Sequence, residues 1–142
     1  MIFITPEPLN PQEITSTVSK NSNGAVVTFL GMVRDSSEGR DVLHLEYEAY
    51  QPMAESMLHQ ITEEIRERWD IEDVSIAHRV GKLGLGEISL VVAIASPHRK
   101  EAFEASEYVL DRIKAVVPIW KKEVFQGGEA WIGSHEGGTA SP

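Results

Sequence analysis

The sequence contains no cysteine, which removes disulfides, thiolate metal ligands and a cysteine nucleophile from the available chemistry at one stroke. It also lacks any run of about eighteen apolar residues, so no segment has the length to cross a bilayer as a helix. Basic residues are scarce: 13 Lys and Arg stand against 22 Asp and Glu, for a net charge of -9. That balance argues against nucleic acid as a partner, because neutralising phosphates takes a broad basic surface. The opening MIFITPEPLN has neither a basic start nor a long apolar stretch, so no secretory signal is expected and the cytoplasm is the expected compartment. Walker, GxGxxG, HExxH and GxSxG patterns are absent as well, which leaves the commonest nucleotide, zinc and serine-hydrolase readings without support.

What is present fits one soluble domain. A length of 142 residues, 42% of them hydrophobic and 25% charged, is ordinary for a globular chain. The domain is expected over residues 1–133, and the closing SHEGGTASP, residues 134–142, has the composition of a frayed tail. Ile2 to Thr5 reads as a short strand closed by Pro6 and Pro8. Asn10-Pro11-Gln12-Glu13 supplies an N-cap, a proline at the first helical position and Glu at N3, predicting a helix to about Lys20. GAVVTFLGMVRD predicts a largely buried strand from Ala25 to Val33, with Gly31 marking a bulge or close backbone approach. Arg34 then opens the polar loop DSSEGRD, either as a loop residue or as a ligand clamp.

The interrupted alternation of Val42, Leu43, Leu45, Tyr47 and Ala49 predicts a strand that pairs antiparallel with the one before the loop. Pro52 opens a second helix reaching Trp69, in which Met53 and Met57 read as core filling. Val74, Ile76 and Val80 predict a strand, with His78 and Arg79 as a surface pair. KLGLGE supplies turn glycines, and the apolar run Ile88 to Ala95 reads as a central strand. Gln126 to Gly128 predicts a turn, followed by a short strand at Ala130 to Ile132. The order βαββαββαββ, with adjacent antiparallel candidates, predicts an α+β fold with an antiparallel sheet and about three helices.

The stretch from Ser96 to Glu123 concentrates the basic chemistry. It holds six Lys and Arg against five Asp and Glu, whereas the rest of the chain has seven against seventeen. Ser96-Pro97 signals a helix start, and Ala102, Phe103, Ala105, Val109, Leu110, Ile113, Val116 and Val117 form an amphipathic stripe. His98 and Arg99 fall in the first turn, where unpaired backbone N–H groups and the dipole favour anions. Lys114 lies at the far end. Pro118 ends the helix and sends Ile119 to Phe125 away as a strand carrying Lys121 and Lys122. Dipole compensation and a solvated edge account for lysines in such places too. The clustering points instead to a small anionic ligand.

Five ordered motifs carry a resemblance that spacing alone does not reach. They are FLGMVR from Phe29, LHLEYE from Leu43, HRVG from His78, SPHRKEAFEA from Ser96 and KAVVPIWKKE from Lys114. Over about residues 1–133 the chain resembles the large, catalytic subunits of molybdopterin synthase. The resemblance implies an α/β hammerhead domain and a sulfurtransferase of molybdenum cofactor biosynthesis. It implies a ubiquitin-like small subunit as partner, whose C-terminal Gly-Gly thiocarboxylate brings the sulfur, and cyclic pyranopterin monophosphate as substrate. The implied assembly is a homodimer of large subunits within a heterotetramer, and no cofactor or metal is implied for this chain. Residue by residue, the family's catalytic lysines fall on Lys114 and Lys121. Its substrate contacts fall on Met32, Val33, Arg34, His98, Arg99, Lys122 and Glu123 besides those lysines, with Phe29 and Leu110 expected in the pocket wall. Met32 stands where relatives often have lysine, and His135 falls near where some have arginine.

The residues themselves agree with that implication. A chain without cysteine cannot carry sulfur as a thiol or persulfide, so sulfur transfer requires an external donor. Neighbouring lysines near Arg34 disfavour each other's protonated forms, which makes one a general-base candidate while the other stays a cation. A non-catalytic scaffold that binds a ubiquitin-like tail and an anion is the competing reading. His98 and Lys114 are sixteen positions apart on one helix, roughly 24 Å at the helical rise, so a site containing both is expected to be shared between two copies of the chain.

Overall fold

The computed structural model describes residues 1–133. In chain order its elements are β1 (Ile2–Thr5), α1 (Pro11–Ser16), β2 (Ala25–Met32), β3 (Ser36–Ser37), β4 (Arg40–Ala49) and α2 (Gln51–Trp69), then β5 (Asp73–Arg79), β6 (Gly81–Gly84), β7 (Ile88–Ser96), α3 (Arg99–Val116), β8 (Ile119–Phe125) and β9 (Gly128–Gly133). The α+β class and the three helices are as predicted, and two short strands, β3 and β6, come in addition. The predicted tail and His135 lie outside the described residues.

Two sheets share the strands. The first has the order β1-β5-β7-β2, with β1 parallel to β5 and the other pairs antiparallel. The second runs β3-β4-β8-β9, with β6 also paired to β4. The expected pairing of β2 with β4 is therefore wrong: β2 pairs with β7, and β4 pairs with β8 and β6. The β2 register shifts between Gly31 and Met32, the bulge that Gly31 suggested, and beyond it the Val33 amide donates to the Glu87 carbonyl. The chain is thus turned out of the first sheet before the hairpin begins. The hairpin that does form joins β3 to β4 through Glu38 and Gly39, both at positive φ (51° and 80°), the twist a two-residue turn needs.

Local chemistry sets the helix ends. The Asn10 side chain accepts from the Gln12 and Glu13 amides at 3.0 and 3.2 Å, and Pro11 occupies the first turn. This helix stops at Ser16, short of Lys20, because the Ser16 and Thr17 hydroxyls donate to the Glu13 and Ile14 carbonyls and compete with the helical ladder. At the end of α2, Asp70 takes the left-handed conformation and donates its amide to the Arg66 carbonyl.

The main core lies between one face of the first sheet and the pair α2 and α3. Leu58, Ile61 and Ile65 meet Ala105, Val109 and Ile113 over Ile76, Val92 and Ile94, and each large side chain so buried contributes roughly 2 kcal/mol. Met57 packs against this core, but Met53 is 52% exposed, so only one of the two methionines fills space there. The other face of the sheet is covered by Ile14 and Val18. A third cluster, Val33, Val42, Leu45 and Leu83, fastens the end of β2 to the second sheet. Between the helices, Glu64 accepts from Arg112 at 2.9 and 3.0 Å and from the Tyr108 hydroxyl at 2.6 Å. The guanidinium brings the Glu64 carboxyl down to about 2.

The predicted buried strand β2 is instead an edge. Val26, Leu30 and Met32 are exposed, because only one side of the strand is paired and helix cover reaches only part of its surface. His78 departs the other way: it is buried, not a surface residue.

Candidate functional site

Helix α3 runs unbroken to Val116, and Val117 then turns extended (φ -83°, ψ 126°), as the residue before proline must. The Pro118 carbonyl accepts from the Tyr50 amide at 3.1 Å, which fixes where β8 starts. From there the period of two separates the side chains. Ile119 and Glu123 are buried on the inner face, and Lys121 shares that face with them. Lys122 projects to the other face, where it pairs with Glu46 at 3.3 Å and Glu129 at 3.5 Å and lies 5.4 Å from the Trp131 ring centre.

Two cations, Arg34 from the loop after β2 and Lys114 from α3, act on Lys121 of β8. Its ammonium is 4.0 Å from the Glu123 carboxylate. Burial holds its pKa below the ordinary lysine value, Arg34 and Lys114 push it the same way, and Glu123 opposes them. Arg34 follows the β2 bulge and is exposed; Lys114, in the last turn of α3, is exposed too. A lysine in this setting can lose its proton more readily than one in water while two fixed positive charges remain to hold an anion.

Around this group the other sequence-derived candidates divide. Leu110 is half-buried one turn before Lys114, and the Phe29 ring borders Gly31 on β2. Met32 is 53% exposed, whereas the Val33 side chain is buried in the third cluster and its backbone is bonded to Glu87 and Gly86, so it offers no free group. His98 and Arg99 are exposed at the opposite end of α3. The helix has no break, so they stand roughly 24 Å from Lys114 in the same chain. Their turn is built tightly: the Ser96 hydroxyl donates to the His98 carbonyl, and a Cβ on Gly24 would come within 2.6 Å of the Pro97 carbonyl oxygen.

Tyr47 and His78 were not among the candidate site residues read from the sequence. Tyr47 is directly across from Lys121 on β4, and its ring meets that of His78 edge-on at 5.0 Å. Burial lowers the His78 pKa to about 4, so the ring is neutral near pH 7, and its Nδ1–H donates to the Arg79 carbonyl at 2.8 Å. Parity carried the signal: His78 continues the inward series Val74, Ile76, and Tyr47 continues Leu45. Among the described residues, no group of three or more His, Asp or Glu is placed to hold a metal ion.

Comparison with known proteins bears on this arrangement. The family model described as MoaE protein matches residues 4–116. A molybdopterin synthase catalytic subunit of Bacillus subtilis (strain 168) is 50% identical over 139 residues, covering 98% of this chain and 88% of its own. One from Staphylococcus carnosus (strain TM300) is 48% identical, covering 94% and 89%. Among solved structures, molybdopterin synthase from Staphylococcus aureus superposes with a TM-score of 0.87 at 45% identity, over 90% of this chain and 93% of that one. A complex of subunits 1 and 2 of molybdopterin-converting factor from Helicobacter pylori 26695 has a TM-score of 0.76 at 19% identity, covering 92% of this chain and 88% of that one. That last likeness bears on the fold alone.

Proposed function

The chain belongs to the MoaE family of molybdopterin synthase catalytic subunits, and we propose that in its sulfurtransferase reaction Lys121 and Lys114 are the catalytic pair. Sulfur comes from the C-terminal thiocarboxylate of a ubiquitin-like small subunit and goes to cyclic pyranopterin monophosphate, building the molybdopterin dithiolene. The observation that carries the assignment is the lowered pKa of Lys121 beside the two cations Arg34 and Lys114. In this reading Lys121, whose proton is held less tightly than that of a lysine in water, moves protons as carbon–sulfur bonds form, while Lys114 and Arg34 stabilise the negative charge of phosphate and thiocarboxylate. Glu123 restrains how far Lys121 is depressed. The partner's Gly-Gly tail reaches the lysines through a passage too narrow for side chains.

His98 and Arg99 enter from a second copy of the chain. The exposed apolar edge strand β2 supports such a dimer, since an uncovered strand of this kind is a surface that other chains cover. With a small subunit on each large one, the assembly is a heterotetramer. The cytoplasm is the proposed compartment. Among the described residues, no helix is long and apolar enough to cross a membrane.

The test is conversion of cyclic pyranopterin monophosphate by the purified chain with thiocarboxylated small subunit. Molybdopterin should form with the intact chain and fail to form with Lys121→Ala or Lys114→Ala. A chain that binds the small subunit yet yields no product under any substrate concentration is the scaffold of the alternative reading.

A further inference from the structure

His98 and Arg99 open α3, and the turn Ser96-Pro97-His98 sets where they stand. Both are exposed, and among the described residues neither side chain makes a hydrogen bond or ion pair; His98 occupies the N-cap position, yet its ring caps nothing. The pair is therefore placed by the backbone beneath it. We infer, on the reading that this pair completes the partner copy's site, that Gly24 is its positioning residue: by having no side chain it seats the Pro97 carbonyl, and the buried Ser96 hydroxyl completes the seat.

Gly24 directly precedes β2, whose first residue Ala25 is paired with Ser96 of β7, so the next residues out, Gly24 and Pro97, lie side by side. A Cβ on Gly24 would stand 2.6 Å from the Pro97 carbonyl oxygen, closer than a carbon and a backbone oxygen can approach. Gly24 is not among the glycines at positive φ, so space, and not backbone shape, excludes other residues there. The loop that carries it is held from behind. The Asn23 side-chain amide donates to Asp73 at 2.8 Å, Lys20 pairs with the same carboxylate at 2.6 Å, and Asp73 is fixed opposite Ala95 in the β5–β7 ladder. On the other side, Ser96 is 1% exposed and donates its hydroxyl to the His98 carbonyl. A methyl group added at Gly24 therefore moves Pro97, and with it His98 and the first turn of α3. Lys114 lies roughly 24 Å along the helix, out of reach of that displacement.

Two variants of the full chain test this, Gly24→Ala, which adds bulk, and Ser96→Ala, which removes the hydroxyl, each checked for a cooperative thermal transition. The first readout needs no activity: in a crystal structure of Gly24→Ala the Pro97 carbonyl and the first turn of α3 should be displaced, with Lys114 and Lys121 in place. An undisplaced first turn overturns the inference. The second readout is sulfur transfer with thiocarboxylated small subunit. KM for cyclic pyranopterin monophosphate should rise about tenfold in Gly24→Ala and about fivefold in Ser96→Ala, with a smaller change in kcat, because the pair holds substrate and transition state alike. An unchanged KM in Gly24→Ala overturns the inference, and if that variant does not fold, Ser96→Ala decides by the same measure. The third readout is one that a merely weakened fold does not move. Mixed with excess Lys114→Ala chain, which brings an intact turn, either variant should return to the wild-type KM; mixed with excess His98→Ala/Arg99→Ala chain, it should not. Equal recovery with both helper chains overturns the inference. Recovery with neither, beside a displaced turn and a raised KM, removes the shared site and leaves the role of Gly24 standing. A displaced turn in a protein whose unaltered chain performs no sulfur transfer removes the proposed function instead.

Discussion

Lys121 and Lys122 are consecutive on β8, project to opposite faces, and titrate in opposite directions from the ordinary lysine value. Burial lowers Lys121, whereas Glu46 and then Glu129 raise Lys122. One lysine is prepared to give up a proton and the other is held as a cation in a corner of β4, β8 and β9. Lys121→Ala and Lys114→Ala should each lower kcat by about 10²- to 10⁴-fold while leaving thermal unfolding unchanged. Lys122→Ala should cost at least tenfold less in kcat than Lys121→Ala. Single-turnover assays with thiocarboxylated small subunit check both statements, and equal losses at the two neighbours would contradict the division of roles.

Mixed dimers test the shared site. Helix α3 keeps His98 and Arg99 of one chain away from its own Lys114. A His98→Ala/Arg99→Ala chain mixed with a Lys114→Ala chain should therefore regain activity, because about half of randomly paired chains form mixed dimers, each with one intact site. Absence of recovery after verified subunit exchange would place both groups in one chain's site and refute the dimer reading.

His78 gives the fold a pH dependence. Its pKa falls from an ordinary 6.5 to about 4 on burial, so between those values the folded chain binds fewer protons than the unfolded one. Its contribution is complete above 6.5 and is lost progressively as pH drops toward 4. Urea unfolding across that window should show a decline in stability that becomes shallower, by up to one proton, in His78→Phe. Parallel curves for the two proteins would mean that His78 charges without cost.

The α2–α3 clamp has the ordinary carboxylate sign. Glu64 titrates near 2 instead of 4.5 because of Arg112 and then Tyr108, so its stabilisation is present above 4.5 and disappears as pH falls through 2. The pair is partly open to water, which limits it to about 1 kcal/mol. Glu64→Gln should lower Tm by about 3 °C at pH 7, with the gap closing at pH 2. Calorimetry at both pH values decides it.

Much of the fold was legible because its signals are local. Asn10-Pro11 capped a helix, Pro118 ended one, Gly31 marked the bulge, and the apolar run Ile88 to Ala95 gave the central strand. Strand partners were not legible, since alternation in β4 defines two faces but carries no information on whether β2 or the distant β8 lies alongside. The apolar run of β2 was read as burial, though an edge awaiting cover has the same composition. His78 was missed by residue type: a histidine suggests surface, while its place in the Val74, Ile76 series pointed inward. Of the candidate site, Arg34, Lys114, Lys121 and Glu123 come together, but the different orientation of Lys122 follows only from counting residues outward from Pro118.

The helix stop at Pro118 acts as the start of a reading frame: the third residue after it faces inward and the fourth outward. Substituting Lys121 removes one amine, but deleting Trp120 would shift the frame and bring Lys122 into the inward position, with Glu123 turned out toward Glu46 and Glu129. The tandem lysine is thus no duplicate. In β8 the number of residues since the proline is as much part of the candidate site as the residues themselves, and length changes there should be less tolerated than any single replacement.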